Sequence, residues 1–262
     1  MKKTLVSLLA IVLMAAFAPG LAKAGDDWQF GVTPYLWGAG IDGTVKVKGY
    51  EADVSKSFGD IVKDLDFAAM VNLQVRKDRF GAYTDVLFLG QSDTASVVSP
   101  GGVTIANVSA SIDQWLVDFG ASWAVAQWGA AGAGTKGAVD LFFGGRYWNL
   151  ATELSAASPY FGGAYAVKQT TGWVDPVVGA RFAVNLAPKV EVVGRGDVGG
   201  FDLGGSTSKL TWSTSAYLGW HFSPLVSAYA GWKYLSVERA SDRGAAFDFA
   251  MSGPVLGVAF TF

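Results

Sequence analysis

Residues 189–200 read KVEVVGRGDVGG, and the period of that stretch is two. Val190, Val192, Gly194, Gly196 and Val198 fall on one face, and Lys189, Glu191, Arg195 and Asp197 on the other. Such alternation describes a β-strand with one apolar and one ionic side. The same stretch carries Arg195-Gly196-Asp197, an adhesive tripeptide, and Gly194-x-Gly196-x-x-Gly199, the spacing of a dinucleotide loop. A dinucleotide loop needs a helix that opens inside the glycines and receives the pyrophosphate at its N-terminus. Phe201-Asp202-Leu203-Gly204-Gly205 follows instead, which starts no helix. The adhesive reading needs Arg195 and Asp197 on a loop tip, whereas the alternation puts both on the ionic face of a strand.

Working outward, the same period recurs at 28–39, 66–77, 79–90, 111–126, 138–149, 173–186, 207–222, 224–238 and 246–262. On 173–186 the apolar row Val174, Pro176, Val178, Ala180 and Phe182 opposes Trp173, Asp175 and Arg181; on 138–149 Asp140, Arg146 and Trp148 oppose Val139, Leu141, Phe143 and Tyr147. With 188–200 this predicts ten strands, eight or twelve being the alternatives. Tight turns at Lys77-Asp78-Arg79, Ala187-Pro188-Lys189 and Ser223-Pro224 alternate with longer connections near 41–65, 92–104, 153–168 and 239–245. Short turns on one side and long loops on the other are the build of outer-membrane barrels. The glycine- and alanine-rich connection at 127–137 falls on the short side and is longer than that pattern favours. Within 41–65 the residues read as a small surface hairpin followed by one helical turn begun at Ser57 or Asp60.

The aromatics decide which face is outside. Phe80, Trp123, Trp220, Phe222, Phe260 and Phe262 lie on apolar faces near short-turn ends, and Phe88, Trp115, Tyr147, Trp212 and Tyr234 on apolar faces near long-loop ends. Two aromatic girdles around an apolar band mark a lipid-facing exterior. A closed barrel also satisfies every backbone polar group in lipid, which an open sheet cannot. The expected fold is therefore all-β, a closed antiparallel up-and-down transmembrane barrel over 25–262. Pro34, Pro176 and Pro254 interrupt strands, where each removes a ladder donor. The latter two fit a position near the outer rim, and Pro34 does not.

Composition agrees. Lys2 and Lys3, an apolar run from Leu5 to Ala18 and the small-x-small triplet Ala22-Lys23-Ala24 predict a cleaved secretory signal over 1–24. That run is well short of the roughly twenty residues of a membrane-spanning helix. Half the chain is apolar (51%), so strands must carry the burial. Cysteine is absent, which excludes disulfides, a thiol nucleophile and thiolate metal sites. The formal charge of −2 offers no basic surface for nucleic acid, and loss of Lys2, Lys3 and Lys23 with the signal makes it more acidic.

The signal, the alternating strands and the ending Leu256-x-Val258-x-Phe260-x-Phe262 resemble a Gram-negative outer-membrane β-barrel protein. The segments PYLWGAGIDG, FGGRYWNL, WVDPVVGARF, GRGDVGGF and GWKYLSVER are similar to those of a group of uncharacterised proteobacterial outer-membrane proteins of about this length. The resemblance implies location in the outer membrane, contact with its lipid and lipopolysaccharide, and delivery by the barrel-assembly machinery with Phe260 and Phe262 as its signal. It brings no activity with it.

Inward faces then hold the chemistry: Asp85, Asp118, Asp140, Asp175, Glu191 and Asp197 against Arg146, Arg181, Arg195 and Lys233, with Arg76 and Lys209 completing the balance. A permeation pathway favours one sign of charge, whereas balance favours a largely filled lumen and a structural or surface-interaction role. A narrow channel for small solutes or amphiphiles is the alternative, and a lipid-modifying enzyme the least favoured reading. His221, the only histidine, stands at a short-turn end and reads as interfacial. The expectation is a monomer with no catalytic residues, cofactor or metal.

Overall fold

The computed structural model describes residues 28–47, 50–98, 104–129, 135–158, 163–240 and 245–262. The predicted signal at 1–24 lies outside them. The chain opens with β1 (Trp28–Trp37), β2 (Gly40–Val47), β3 (Tyr50–Lys56), helix α1 (Phe58–Lys63), β4 (Leu65–Lys77) and β5 (Phe80–Val98). It continues through β6 (Thr104–Trp128), β7 (Gly137–Ser158), β8 (Gly163–Ala187) and β9 (Val190–Gly200). It ends with β10 (Leu210–His221), β11 (Val226–Ala240) and β12 (Ala245–Thr261). β1 and β4 through β12 pair in chain order, all antiparallel, and β1 pairs β12, so ten strands close a barrel. The remaining two, β2 and β3, form a hairpin that prolongs β1 along the far half of β12.

The faces sort as the alternation predicts. Phe80, Phe143, Leu186 and Leu256 are each more than 60% exposed on the outside, while Arg146, Trp148 and Asp175 are fully buried inside. Girdle aromatics meet across strands at the long end, with Phe88 and Trp115 ring centres 4.6 Å apart and Trp212 and Tyr234 4.7 Å apart. At the short end Phe80 pairs Trp123. Gly194 shows why the opening stretch is glycine-rich: the outward ring of Phe182, its partner on β8, occupies the space a Cβ would need.

The long connections expected at 92–104 and 153–168 are mostly paired strand. β5 and β6 stay paired out to Val98 and Thr104, with one register shift between Val97 and Val98, and β7 and β8 to Ser158 and Gly163. These rungs carry serine, threonine and alanine because beyond the apolar belt no face has to be greasy, and a stretch without an apolar face reads as loop. β6 and β8 run 25 residues each against 11 for β9 and 12 for β10, so the long rim is lopsided. In the first long connection α1 follows the predicted hairpin. Ser57 caps it, accepting from the Asp60 N–H, and Lys63 and Ser57 hold the Asp60 carboxyl down to about 2. Because that value lies below the ordinary one, this tie is intact at neutral pH and is lost only as pH falls through about 2.

Pro34, Pro176 and Pro254 each stand where one of two ladders stops. β1 pairs β4 only as far as Pro34–Val71. Beyond it the Trp37 N–H donates to the Met70 sulfur at 3.2 Å instead of to a carbonyl. Pro34 thus marks the point where the wall divides and β1 continues beside β12 into the added hairpin. Pro176 adjoins the last β8–β9 rung, Val177–Gly199. Pro254 lies between the β1 and β2 pairings of β12, and its carbonyl accepts from the Gly38 N–H at 2.8 Å.

The barrel closes on its last residue. Phe262 N–H donates to Phe30 carbonyl at 2.8 Å, and Phe30 N–H returns to Phe262 carbonyl at 3.1 Å. Deleting Phe262 removes these two bonds, each worth about 1 kcal/mol net, together with the ring; Phe262→Ala removes the ring alone. The deletion is expected to lower the folded fraction on unboiled SDS gels further than Phe262→Ala does. Equal loss in both variants would mean that the closing bonds contribute nothing.

Candidate functional site: the lumen

Register arranges the inward side chains in two rows. One runs Asn72, Asp85, Asp118, Arg146, Asp175 across β4 to β8. The other runs Asp140, Arg181, Arg195, Ser215, Lys233 across β7 to β11. Directly opposed residues hold their Cβ atoms about 5 Å apart, so Asp85 faces Asp118 and Arg181 faces Arg195, like against like. The first row is rich in acid and the second in base, and the side chains relieve both by reaching out of their rows.

Arg146 is the centre of this exchange. Its Nε and Nη2 donate to the two oxygens of Asp118 at 2.7 and 3.0 Å, Nη2 also to Asp197 at 2.9 Å, and Nη1 to Thr211 Oγ1 at 3.1 Å. One guanidinium therefore joins β6, β7, β9 and β10. Asp197 accepts further from Ser213 Oγ at 2.6 Å. Arg195 lies between the rings of Tyr83 and Phe142, 4.5 and 4.1 Å from their centres, with Nε 3.8 Å from Asp197. The adhesive tripeptide is thus spent inside the barrel. Lys233 stands 4.0 Å from Asp85, which accepts from Tyr35 hydroxyl at 2.6 Å and Asn72 Nδ2 at 3.1 Å.

Four expected members of the network, Asp140, Arg181, Glu191 and Asp175, sit elsewhere. Arg181 is nearer the short-turn end, sharing Asp140 Oδ2 with Arg76 at 3.1 and 2.8 Å. Glu191 makes no ion pair among the described residues and accepts from Tyr229 hydroxyl at 2.6 Å. Asp175 likewise has no cationic partner there: it is held by neutral donors, Trp148 Nε1 at 2.9 Å, Trp173 Nε1 at 3.1 Å, and Ser208 through Oγ at 2.7 Å and N–H at 2.6 Å. Four hydrogen bonds can sustain a buried carboxylate without an opposite charge.

Toward the long rim the lumen is apolar and full. Trp148 and Trp173 stack with centres 5.6 Å apart and planes 13° from parallel, and Phe249 meets Trp148 edge-on at 5.9 Å. Trp37, Met70, Leu87, Leu116, Leu235 and Met251 pack into the same cluster. Over it comes the turn after β9, which places Phe201 and Asp202 in left-handed conformations (φ 63° and 49°) and buries Ser208 against Asp175. Arg239 closes the side of this turn, stacked 4.4 Å from Trp173 and donating to Ser206 carbonyl. Inward Trp148 and Trp173 were the sequence signal for this plug, but alternation tells the face and not the height.

Toward the short turns the lumen is open. A cavity of about 870 Å³ runs from Tyr35, Asp85 and Lys233 down to Gln29, Lys136 and Asn185 at the mouth. The expectation of a largely filled lumen therefore holds for the upper half and fails for the lower. His221 is not interfacial: it lines this cavity, with Nδ1 2.7 Å from Ser227 Oγ and Nε2 3.3 Å from Asn185 Nδ2. Among the described residues no cluster of histidine and carboxylate side chains has the make-up of a metal site.

No protein-family model and no curated protein matches the chain. Among solved structures it is similar to the outer-membrane protease OmpT of Escherichia coli (9% identity, 90% of this chain and 97% of that one, TM-score 0.48). It is also similar to the translocator domain of autotransporter NalP of Neisseria meningitidis (14%, 97% and 95%, 0.36). A third is Ail, the attachment invasion locus protein of Yersinia pestis (12%, 91% and 100%, 0.33). At these identities and scores none of their activities carries over.

Arg146→Ala strands Asp118 and Asp197 in the interior, and losing one partner of a buried pair costs roughly 3–5 kcal/mol. Arg146→Lys is expected to recover only part, because an ammonium lacks the planar fork that serves two carboxylates at once. Denaturant unfolding of the refolded barrel checks this. A variant within about 0.5 kcal/mol of the wild type, the usual range for surface substitutions, would remove Arg146 from the centre of the lumen.

Proposed function

We propose that the protein is an integral outer-membrane barrel that does not conduct along its axis and serves as a rigid, sealed support for its long hairpins. The carrying observation is the pair of stacked barriers: the Arg146 network, and above it the dry cluster around Trp148 and Trp173. Side chains can fill a small barrel, and here they do so for about half its depth. The belt of outward leucine, phenylalanine and tryptophan supports insertion in lipid. Short turns, the start of β1 and the end of β12 then face the periplasm, the orientation usual for such barrels. The hairpins, at roughly twice the nine to eleven residues a tilted strand needs to cross, reach beyond the outer leaflet toward lipopolysaccharide and surface partners. In this reading the chain is a non-catalytic monomer, inserted by the barrel-assembly machinery through Phe260 and Phe262.

A second reading, a narrow passage for small solutes or amphiphiles, is favoured by the cavity below the barriers. Planar-bilayer recording separates the two. The sealed barrel is expected to give no steady current. Combined Trp148→Ala, Trp173→Ala and Arg146→Ala substitution takes bulk from both layers, leaves Asp118 and Asp197 without their guanidinium and removes two of the four donors to Asp175, so a cation-preferring leak is expected. Steady native current, above all one that prefers anions, would overturn the sealed reading and make the arginines a selectivity filter.

A further inference from the structure

The charge balance of the lumen conceals an uneven distribution. Arg76 and Arg181 both lean on a single oxygen of Asp140, at 2.8 and 3.1 Å, and more than a quarter of each side chain is still exposed. Arg195, directly opposite Arg181 on the next strand, turns its guanidinium onto Tyr83 and Phe142. These three guanidiniums line one small niche of about 40 Å³ together with Gln74, Ser122 and Asp140. Asp140 is the only carboxylate lining that niche, so three positive charges face one negative. Asp197, 3.8 Å from Arg195, is committed to Arg146 and Ser213 and lines neither the niche nor the cavity. Gln74, Arg76, Arg181 and Arg195 also line the large cavity, so the niche adjoins it.

We infer that this niche is an anion-binding site, taking the phosphate or similar oxyanion group of a small solute whose remainder lies in the cavity below. A guanidinium offers five N–H donors in a fork that matches oxyanions and is weakly hydrated. Each of Arg76 and Arg181 gives one short contact to Asp140, leaving further donors for a ligand. The apolar wall behind them lowers the local dielectric, which strengthens attraction of an anion to a net positive cluster. The niche is a few water volumes in size, enough for one oxyanion head and not for a whole sugar. Within the cavity, hydroxyl and amide groups of Tyr35, Ser213, Ser215, Asn72 and Tyr229 line the wall as neutral hydrogen-bonding partners for the rest of a hydrophilic molecule. The site is reached from the short-turn end and is independent of whether the upper barriers conduct.

The test uses the full refolded barrel in neutral detergent, titrated calorimetrically with inorganic phosphate, glycerol 3-phosphate and short-chain phosphatidic acid, against sodium chloride and glycerol at matched ionic strength. Saturable one-to-one binding of phosphate and glycerol 3-phosphate is expected, with chloride and glycerol inert. Binding of phosphatidic acid alone would keep the oxyanion site and identify a lipid headgroup as its source. Arg181→Gln is expected to weaken binding about tenfold or more, as loss of a charge-assisted pair does. Asp140→Asn, which removes the competing carboxylate, is expected to tighten it. A merely structural cluster would move both variants in the same direction, and the unboiled gel shift confirms that each is folded. No saturable binding of any phosphate probe, or weaker binding in Asp140→Asn, would overturn the assignment.

Discussion

A barrel that faces lipid with its outer surface must solvate its ionised groups from within, and one guanidinium carries most of that duty. Arg146 is wholly buried, contacts Asp118, Asp197 and Thr211, and through them fixes four strands to one another. Its position follows from register alone: β6 sets Asp118 opposite it on one side and β8 sets Asp175 opposite on the other. A slip of one residue on any of these strands would turn charges into lipid and leucines into the lumen. Networks of this kind add little net stability over apolar packing of equal volume. Here the network selects the register, and the apolar belt supplies the driving force for insertion.

The rest of the lumen is graded from that layer. Above it, tryptophan N–H groups donate to Asp175, so the aromatic plug buries that carboxylate without stranding it. Below it, three guanidiniums gather around Asp140, the packing opens, and polar groups face a cavity of about 870 Å³. The same alternating strands thus build three environments, which differ only in the residue that happens to fall at each height.

Much of this was legible in the residues. Alternation assigned the faces correctly from Val190 to Val198 and put Arg146, Arg181, Arg195 and Asp118 inside. Ser57 announced α1 because a capping serine followed by Asp60 is a local signal. What could not be read was height and partner. Asp140 pairs with Arg76 from a strand more than sixty positions away, and the shear that brings them together is spread over every turn of the barrel. The hairpin arms beyond the belt escaped because strands such as β6 before Ile112 are built mostly of small and polar residues, serine, alanine, threonine and asparagine. Pro34 has no explanation in the alternation of its own strand; its reason lies in the pairing, because β1 leaves β4 there. His221 looked interfacial because a terminal position says nothing about which way the strand has turned.

The proposed sealed barrel has a lumen that is open at the short-turn end and closed at the other. Because the chain has no cysteine, single cysteines at Thr33, which lines the cavity, and at Val237, which is buried in the plug, report this directly. In vesicles of known barrel orientation, a membrane-impermeant maleimide should label position 33 only when applied from the short-turn side and should not label position 237 from either. Labelling of position 33 from the hairpin side, or of position 237 in the folded barrel, would contradict the account.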